Sequence, residues 1–279
     1  MPTTNLEMVD VESKLLIDAI YLRYGYDFRD YQTTTMINQF KNFVASRDYN
    51  NIAELIPRVL HSREVFYELL MNITINVTEM FRGPEFYHSL RDKVIPHLKT
   101  YPYLNVWHAG CSTGEEPYSM SIFLKEEELL KRSQIYATDI NDLALKKART
   151  GIYDIRRMQD YSKKYHLAGG QGSLSDYYHT RYGGAKILDE FRERIVFSKH
   201  NLVSDSVFAE MQLIVCKNVL IYFSRSLRDN VLALLTDSLC PKGFLCLGEH
   251  ESLDYTPVRA MYDVVDESKK IYRKRIQIR

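Results

Sequence analysis

Val106-Trp107-His108-Ala109-Gly110-Cys111-Ser112-Thr113-Gly114-Glu115-Glu116-Pro117-Tyr118-Ser119 runs from an apolar segment, through small residues, into a helical pattern. The spacing predicts a strand, a tight loop and a helix. A second apolar segment, Gln134-Ile135-Tyr136-Ala137-Thr138-Asp139, follows, and a helical run covers Asp142 to Thr150. Together they predict a βαβ unit with an acid at the tip of its second strand.

In a doubly wound parallel sheet, ligands sit outside the carboxyl ends of the strands, and an acid ending the second strand can accept both ribose hydroxyls of a nucleotide cofactor. Asp139 is placed for that role. Gly110 and Gly114 carry no Cβ, so backbone can approach a ligand closely, and the helix that follows points free N–H groups at the same spot. The loop lacks the G-x-G-x-x-G spacing of dinucleotide sites, and Glu115 and Glu116 put two acids where a diphosphate needs positive potential. A cofactor with a ribose, no phosphates and cationic groups of its own fits better. S-adenosylmethionine, with its sulfonium and ammonium, is such a molecule. The plainer reading of these residues is a βα turn with two acids favouring a helix start.

The 279 residues allow two domains, or one large domain with an insertion. A composition with 45% hydrophobic and 26% charged residues is that of a soluble globular protein, and a net charge of +1 gives no global reason to expect nucleic acid or an anionic membrane as partner. No apolar run approaches the roughly 18 residues of a spanning helix, so neither membrane insertion nor export is expected. Cys111, Cys216, Cys240 and Cys246 lack zinc spacing. No metal is expected, and a reduced cytoplasm suits these thiols.

Apolar stripes at helical spacing recur in residues 11 to 24, again at Met36, Ile37, Phe40 and Phe43, then from Ile52 to Val59 and from Val65 to Ile73. They predict four amphipathic helices forming a small all-α domain over residues 1–83. No strand pattern precedes residue 104, so this domain is expected to stand before the sheet. Asn76-x-Thr78 reads locally as a helix cap, and Arg82 as a solvated charge. Residues 151–194 are polar and tyrosine-rich, too long for a bare loop, and predict an inserted subdomain. The sheet resumes at Ile195 to Ser198 and Leu213 to Cys216. A helix is expected over Leu227 to Leu239, a turn at Pro241-Lys242-Gly243, a strand over Phe244 to Leu247, and a final pair at Tyr262 to Val265 and Ile271 to Lys274. Asp139, Asn201 and Asn218 then fall on one rim of a parallel sheet.

Four strings carry more than their local meaning: Asn76-Val77-Thr78-Glu79-Met80-Phe81-Arg82, Ser112-Thr113-Gly114-Glu115-Glu116-Pro117-Tyr118-Ser119, Ala137-Thr138-Asp139-Ile140 and Cys216-Lys217-Asn218-Val219-Leu220-Ile221-Tyr222-Phe223. In this order, over essentially the whole chain, they resemble the CheR-type chemoreceptor glutamate O-methyltransferases. The resemblance implies an α/β fold: a Rossmann-like class I methyltransferase domain with a mostly parallel sheet over residues 84–279, preceded by the all-α domain. It implies S-adenosylmethionine as methyl donor, S-adenosylhomocysteine as product, and as acceptor a glutamate of a chemoreceptor or other cytoplasmic signalling protein. It sets Asn76, Thr78, Arg82, Glu116, Asp139, Asn201, Leu202 and the turn Cys216, Lys217, Asn218 around the cofactor beside the Gly110 loop. Arg82 and Tyr222 are implied to lie nearest the transferred methyl, Asp139 to hold the ribose, and Glu116 to answer the donor's positive end.

The sequence departs from the family pattern in three places. Lys217 stands where arginine is usual, Met80 where phenylalanine is common, and the segment Tyr31 to Phe43, arginine-rich in the family, holds Lys41 as its one basic residue. Residues 1–83 carry 8 Lys and Arg against 11 Asp and Glu. An acidic domain of this kind argues against nucleic acid as substrate. Two other readings are a methyltransferase with a different protein or small-molecule acceptor, and a non-catalytic cofactor-binding sensor. The second would be marked by loss of Arg82, Asp139 or Tyr222, all of which are present.

Overall fold

A computed structural model describes residues 7–74 and 78–276. The chain divides into two compact units, Met1–Asn76 with Tyr222–Arg228, and Val77–Ile221 with Asp229–Arg279.

The first unit holds α1 (Met8–Tyr24), α2 (Thr33–Ser46), α3 (Leu55–His61) and α4 (Arg63–Ile73), the four helices that the apolar stripes predict. Gly25 ends α1 in the left-handed region at φ 75°, its N–H donating to the Tyr21 carbonyl, and Ser62 caps α4 by accepting from Val65 N. Leu16, Ile20, Phe40, Leu55, Val59, Phe66 and Leu69 form the core, with Tyr24 stacked on Phe66 at 3.8 Å between ring centroids. Residues 222–228 belong to this unit because Tyr222 O accepts from Gln32 N, Asp30 O accepts from Ser224 N, and the Phe223 ring meets the edge of Tyr31.

The second unit opens with α5 (Pro84–Ser89), which passes through a π-helical turn into α6 (Ile95–Leu98). Ile95 N donates five residues back to Leu90 O; Pro96 follows, which has no N–H and whose ring disfavours the α-helical path before it. Next come β1 (Leu104–Ala109), α7 (Glu115–Glu126), β2 (Ser133–Asp139) and α8 (Asp142–Thr150). The insertion contains β3 (Ile152–Asp154), α9 (Ile155–Leu167), β4 (Tyr178–Arg181) and β5 (Gly184–Ile187), followed by α10 (Asp189–Arg192). The chain ends through β6 (Ile195–Lys199), β7 (Met211–Cys216), α11 (Arg225–Ser238), β8 (Leu239–Leu247), β9 (Tyr262–Asp266) and β10 (Ile271–Lys274).

Seven strands form one sheet in the order β6-β2-β1-β7-β8-β10-β9. Neighbours run parallel from β6 to β8, and β10 is antiparallel to both strands beside it. Read by appearance along the chain the order is 3-2-1-4-5-7-6, so the direction of winding reverses between β1 and β7. Ligands of such sheets bind at that reversal, beyond the carboxyl ends of the two strands. The inserted strands form a separate antiparallel sheet, β3-β5-β4, tied to α7 where Glu126 accepts from the hydroxyls of Tyr165 and Tyr177.

The turn predicted at Pro241-Lys242-Gly243 lies inside β8, which starts at Leu239 directly after α11. Its register against β7 jumps from Met211↔Leu239 to Leu213↔Phe244, with Lys242 at φ 66°. The turn residues are absorbed as an irregularity of the strand.

Candidate active site at the sheet reversal

The site is built on two loops that meet where β1 and β7 lie side by side. After β1, Gly110 N and Cys111 N both donate to Thr138 O, at 2.8 and 2.9 Å, folding the loop back over the end of β2. Gly110 adopts φ 80°, and a Cβ there would stand 2.4 Å from Val219 Cγ2 in the turn after β7. Only glycine lets the two loops close on each other.

Asp139 ends β2 and is 9% exposed. Its Oδ2 accepts from Ser112 N at 2.8 Å and its Oδ1 from Asn141 N at 2.9 Å. Burial lifts its carboxyl above the ordinary range, opposed by those two N–H donors. Each oxygen of a carboxylate has a second lone pair, so Asp139 can fix the loop and still accept from a ligand.

Glu116, in the first turn of α7, is held between two partners. Oε1 lies 3.1 Å from His108 Nδ1, and Oε2 lies 3.2 Å from Lys217 Nζ. Burial works against ionisation, but the Lys217 charge and the His108 hydrogen bond outweigh it and hold the carboxyl down at about 2. Glu116 is a fixed negative charge at neutral pH. Lys217 also donates to Arg82 O at 3.3 Å and sits over the Phe86 ring, 4.3 Å from its centroid.

The segment from Thr78 to Arg82 is fastened to the start of α7 by contacts that the sequence did not announce. Phe81, at φ 53°, donates its N–H to Ser119 Oγ at 2.9 Å. Arg157 of α9 donates to Thr78 O at 2.9 Å and lies 3.3 Å from the buried carboxylate of Glu115. The insertion therefore braces the loop between β1 and α7, and Tyr153 adds a bond to Thr113 O at 2.8 Å.

Of the residues expected at the site, Thr78, Arg82, Gly110, Glu116, Asp139, Cys216, Lys217 and Asn218 lie in these loops or at the strand ends that carry them. Cys216 is fully buried, and burial pushes its thiol well up, which leaves it a packing residue. Asn201 and Leu202 follow β6, two strands from β1, and the Asn201 amide oxygen accepts from Val203 N, closing a local turn. Asn76 lies outside the described residues. Tyr222 belongs to the first unit. Sequence reading missed Glu251, whose carboxylate accepts from four backbone N–H groups, and His108, whose Nδ1 meets Glu116. The only signal for Glu251 was a charge just past a strand of buried residues.

Two family models span most of the chain: the SAM-binding domain of CheR methyltransferases matches residues 76–270, and their all-alpha domain matches residues 12–74. The chain belongs to the CheR methyltransferase family. It is 44% identical to the provisionally named methyltransferase Cher3 of Pseudomonas putida, over 97% of this chain and 99% of that one. It is also 31% identical to the chemotaxis protein methyltransferase of Listeria innocua over 82% of this chain and 85% of that protein, and 30% identical to chemotaxis protein methyltransferase 1 of Pseudomonas aeruginosa over 82% and 84%. As a CheR family member the chain is an S-adenosylmethionine-dependent methyltransferase with a class I fold. Among the described residues no helix is long and apolar enough to cross a membrane.

Proposed function

We propose that this CheR family protein transfers the methyl group of S-adenosylmethionine to a glutamate side chain of a chemoreceptor or a related signalling protein in the cytoplasm. The observation that carries the reading is a loop, closed by Gly110, with an acid on either side of it: Asp139 at the end of β2, which holds Ser112 N, and the ionised Glu116 in the first turn of α7. Those two acceptors suit the hydroxyls of a ribose and a cationic amino-acid end, and disfavour a diphosphate.

In this reading Asp139 accepts from the ribose on its remaining lone pairs, and Glu116 answers the ammonium. Thr78, Gly110, Asn201, Leu202 and the backbone of the Cys216–Asn218 turn line the cofactor, with Asn76 assigned by resemblance. When bound, the cofactor supplies an electrophilic methyl group. The acceptor glutamate, with an ordinary pKa of about 4.3, is already ionised at neutral pH, so the protein need hold no general base. Its work is to align the carboxylate oxygen with the methyl and keep water out. Arg82 suits the first task, since a guanidinium can fork onto a carboxylate. For Tyr222 the assignment near the methyl rests on the resemblance alone.

The test is to incubate the purified protein with radiolabelled S-adenosylmethionine and membranes of its own host. A labelled receptor band that loses its label in mild alkali is expected for a glutamate methyl ester. An alkali-stable label, or label on small molecules alone, would overturn the reading.

A further inference from the structure

The turn after β7 leads into a single 3-10 turn at Leu220–Tyr222, and Asn218 before it takes φ 61°, a region that non-glycine residues seldom adopt. Its backbone donors converge on one side chain. Glu251 Oε1 accepts from Val219 N at 2.9 Å and Leu220 N at 2.8 Å, while Oε2 accepts from Asn218 N at 3.0 Å and Gly248 N at 2.5 Å. Consecutive N–H groups wrapped around an anion make the kind of concavity that proteins use for phosphate. Here the protein fills it with its own carboxylate, 5% exposed.

Gly248 is shaped to the same purpose. A Cβ at this position would lie 2.6 Å from Glu251 Oε2 and 2.8 Å from Asn218 N, so any side chain pushes the carboxylate and the turn apart. An acid that neutralises three successive donors removes the alternatives the turn would otherwise sample. The turn in question carries Lys217, which reaches Glu116, and Asn218.

We infer that Glu251 is a positioning residue for S-adenosylmethionine binding: it fixes the Asn218–Leu220 turn, and through it the placement of Lys217 and Asn218. The inference rests on the reading that this turn borders the cofactor.

Glu251→Gln keeps the shape but turns an NH2 group toward N–H donors, and Gly248→Ala disturbs the same contact while leaving Glu251 intact. In both variants the Kd for S-adenosylhomocysteine, measured by calorimetry, is expected to rise about tenfold or more. KM for S-adenosylmethionine should rise likewise, with kcat at saturating cofactor within about threefold of the parent. A purely structural role would lower the unfolding temperature and leave Kd and KM of the folded protein unchanged. Should Glu251→Gln fail to fold, Gly248→Ala decides alone. Parental Kd in the folded variants overturns the inference. The underlying reading is checked separately in the unmodified, nitrogen-15-labelled protein: the amide signals of Asn218, Val219 and Leu220 should shift on adding S-adenosylhomocysteine. If they stay still, the placement of the cofactor is wrong, whatever the variants do.

Discussion

Glu116 Oε2 and Lys217 Nζ lie 3.2 Å apart, joining the first turn of α7 to the turn after β7. The two side chains are 16% and 9% exposed, so water and salt screen the pair little. The resemblance assigned Glu116 to the cofactor's positive end, and the structure adds that this acid already has a protein cation beside it. Lys217 is one of the departures from the family pattern. A lysine brings a compact charge on a flexible stem, without the planar fork of arginine, and here that charge also sits over the Phe86 ring.

Removing one partner of a shielded pair leaves the other uncompensated. Lys217→Met is expected to destabilise the fold by about 3 kcal/mol, toward the lower end for broken buried pairs because His108 still contacts Glu116. The double variant Lys217→Met/Glu116→Gln should recover at least about 1 kcal/mol of that loss. Urea unfolding of the parent, Lys217→Met, Glu116→Gln and the double variant measures both. Additive losses would show that the two groups are not coupled.

The pH dependence follows from the same acid. The folded pKa of Glu116 is depressed, from 4.5 to about 2, so the stabilisation is present above the unfolded value and is lost as pH falls through about 2. The shift corresponds to about 3 kcal/mol at most. Glu116→Gln should therefore flatten the loss of stability on acidification below about pH 4.5. Burial shifts Asp139 and Glu115 the other way, upward, so neither imitates this effect. Matched urea titrations at pH 7, 4.5 and 3.5 would expose an unchanged slope, which is the contrary result.

Asp139→Ala removes the acceptor proposed for the ribose together with the anchor of Ser112 N and Asn141 N. Cofactor affinity should drop about tenfold to a hundredfold, the worth of hydrogen bonds to a charged group. Some stability should go with it. Calorimetry with S-adenosylhomocysteine and thermal unfolding on one preparation separate the two losses. A folded variant with parental affinity removes Asp139 from the cofactor site.

Arg82→Ala tests alignment of the acceptor. If the guanidinium holds the reacting carboxylate, turnover should fall about a hundredfold, as for loss of one preorganised donor. Stability should change by less than about 0.5 kcal/mol if the side chain has no structural role. Methyl transfer at saturating S-adenosylmethionine is the measurement, and full activity would return Arg82 to a surface charge.

Recognition of the target is the last case. On α2, Thr33, Thr34, Asn38, Lys41 and Asn42 are exposed, while Met36, Ile37, Phe40 and Phe43 are buried in the helical core. One cation on a mostly uncharged face gives weak, screened attraction to an acidic receptor. Lys41→Ala should change target affinity by less than about 1 kcal/mol, and binding should depend only shallowly on salt. Titration against the cognate receptor at low and high salt decides it. A steep loss with salt that vanishes in Lys41→Ala would mean that the charge of Lys41 docks the receptor.

What the sequence determined by itself was most of what local period and neighbouring residues govern, the turn at Pro241-Lys242-Gly243 excepted. The helical stripes from Leu16 to Ile73, the strand, loop and helix around Gly110, the helix from Asp142 to Thr150, and the acid at the end of β2 all express patterns among residues a few positions apart. The four strings added the family. Partners far apart in the chain were decided only by the tertiary structure. Glu251 reaches a turn 31 to 33 residues earlier, His108 and Lys217 converge on Glu116, and Arg157 of the insertion clasps Thr78 and Glu115. No periodicity encodes these. They arise because the parallel sheet sets the ends of β1, β2, β7 and β8 on one rim, and only there do the buried acids find the backbone donors and cations that make their burial tolerable.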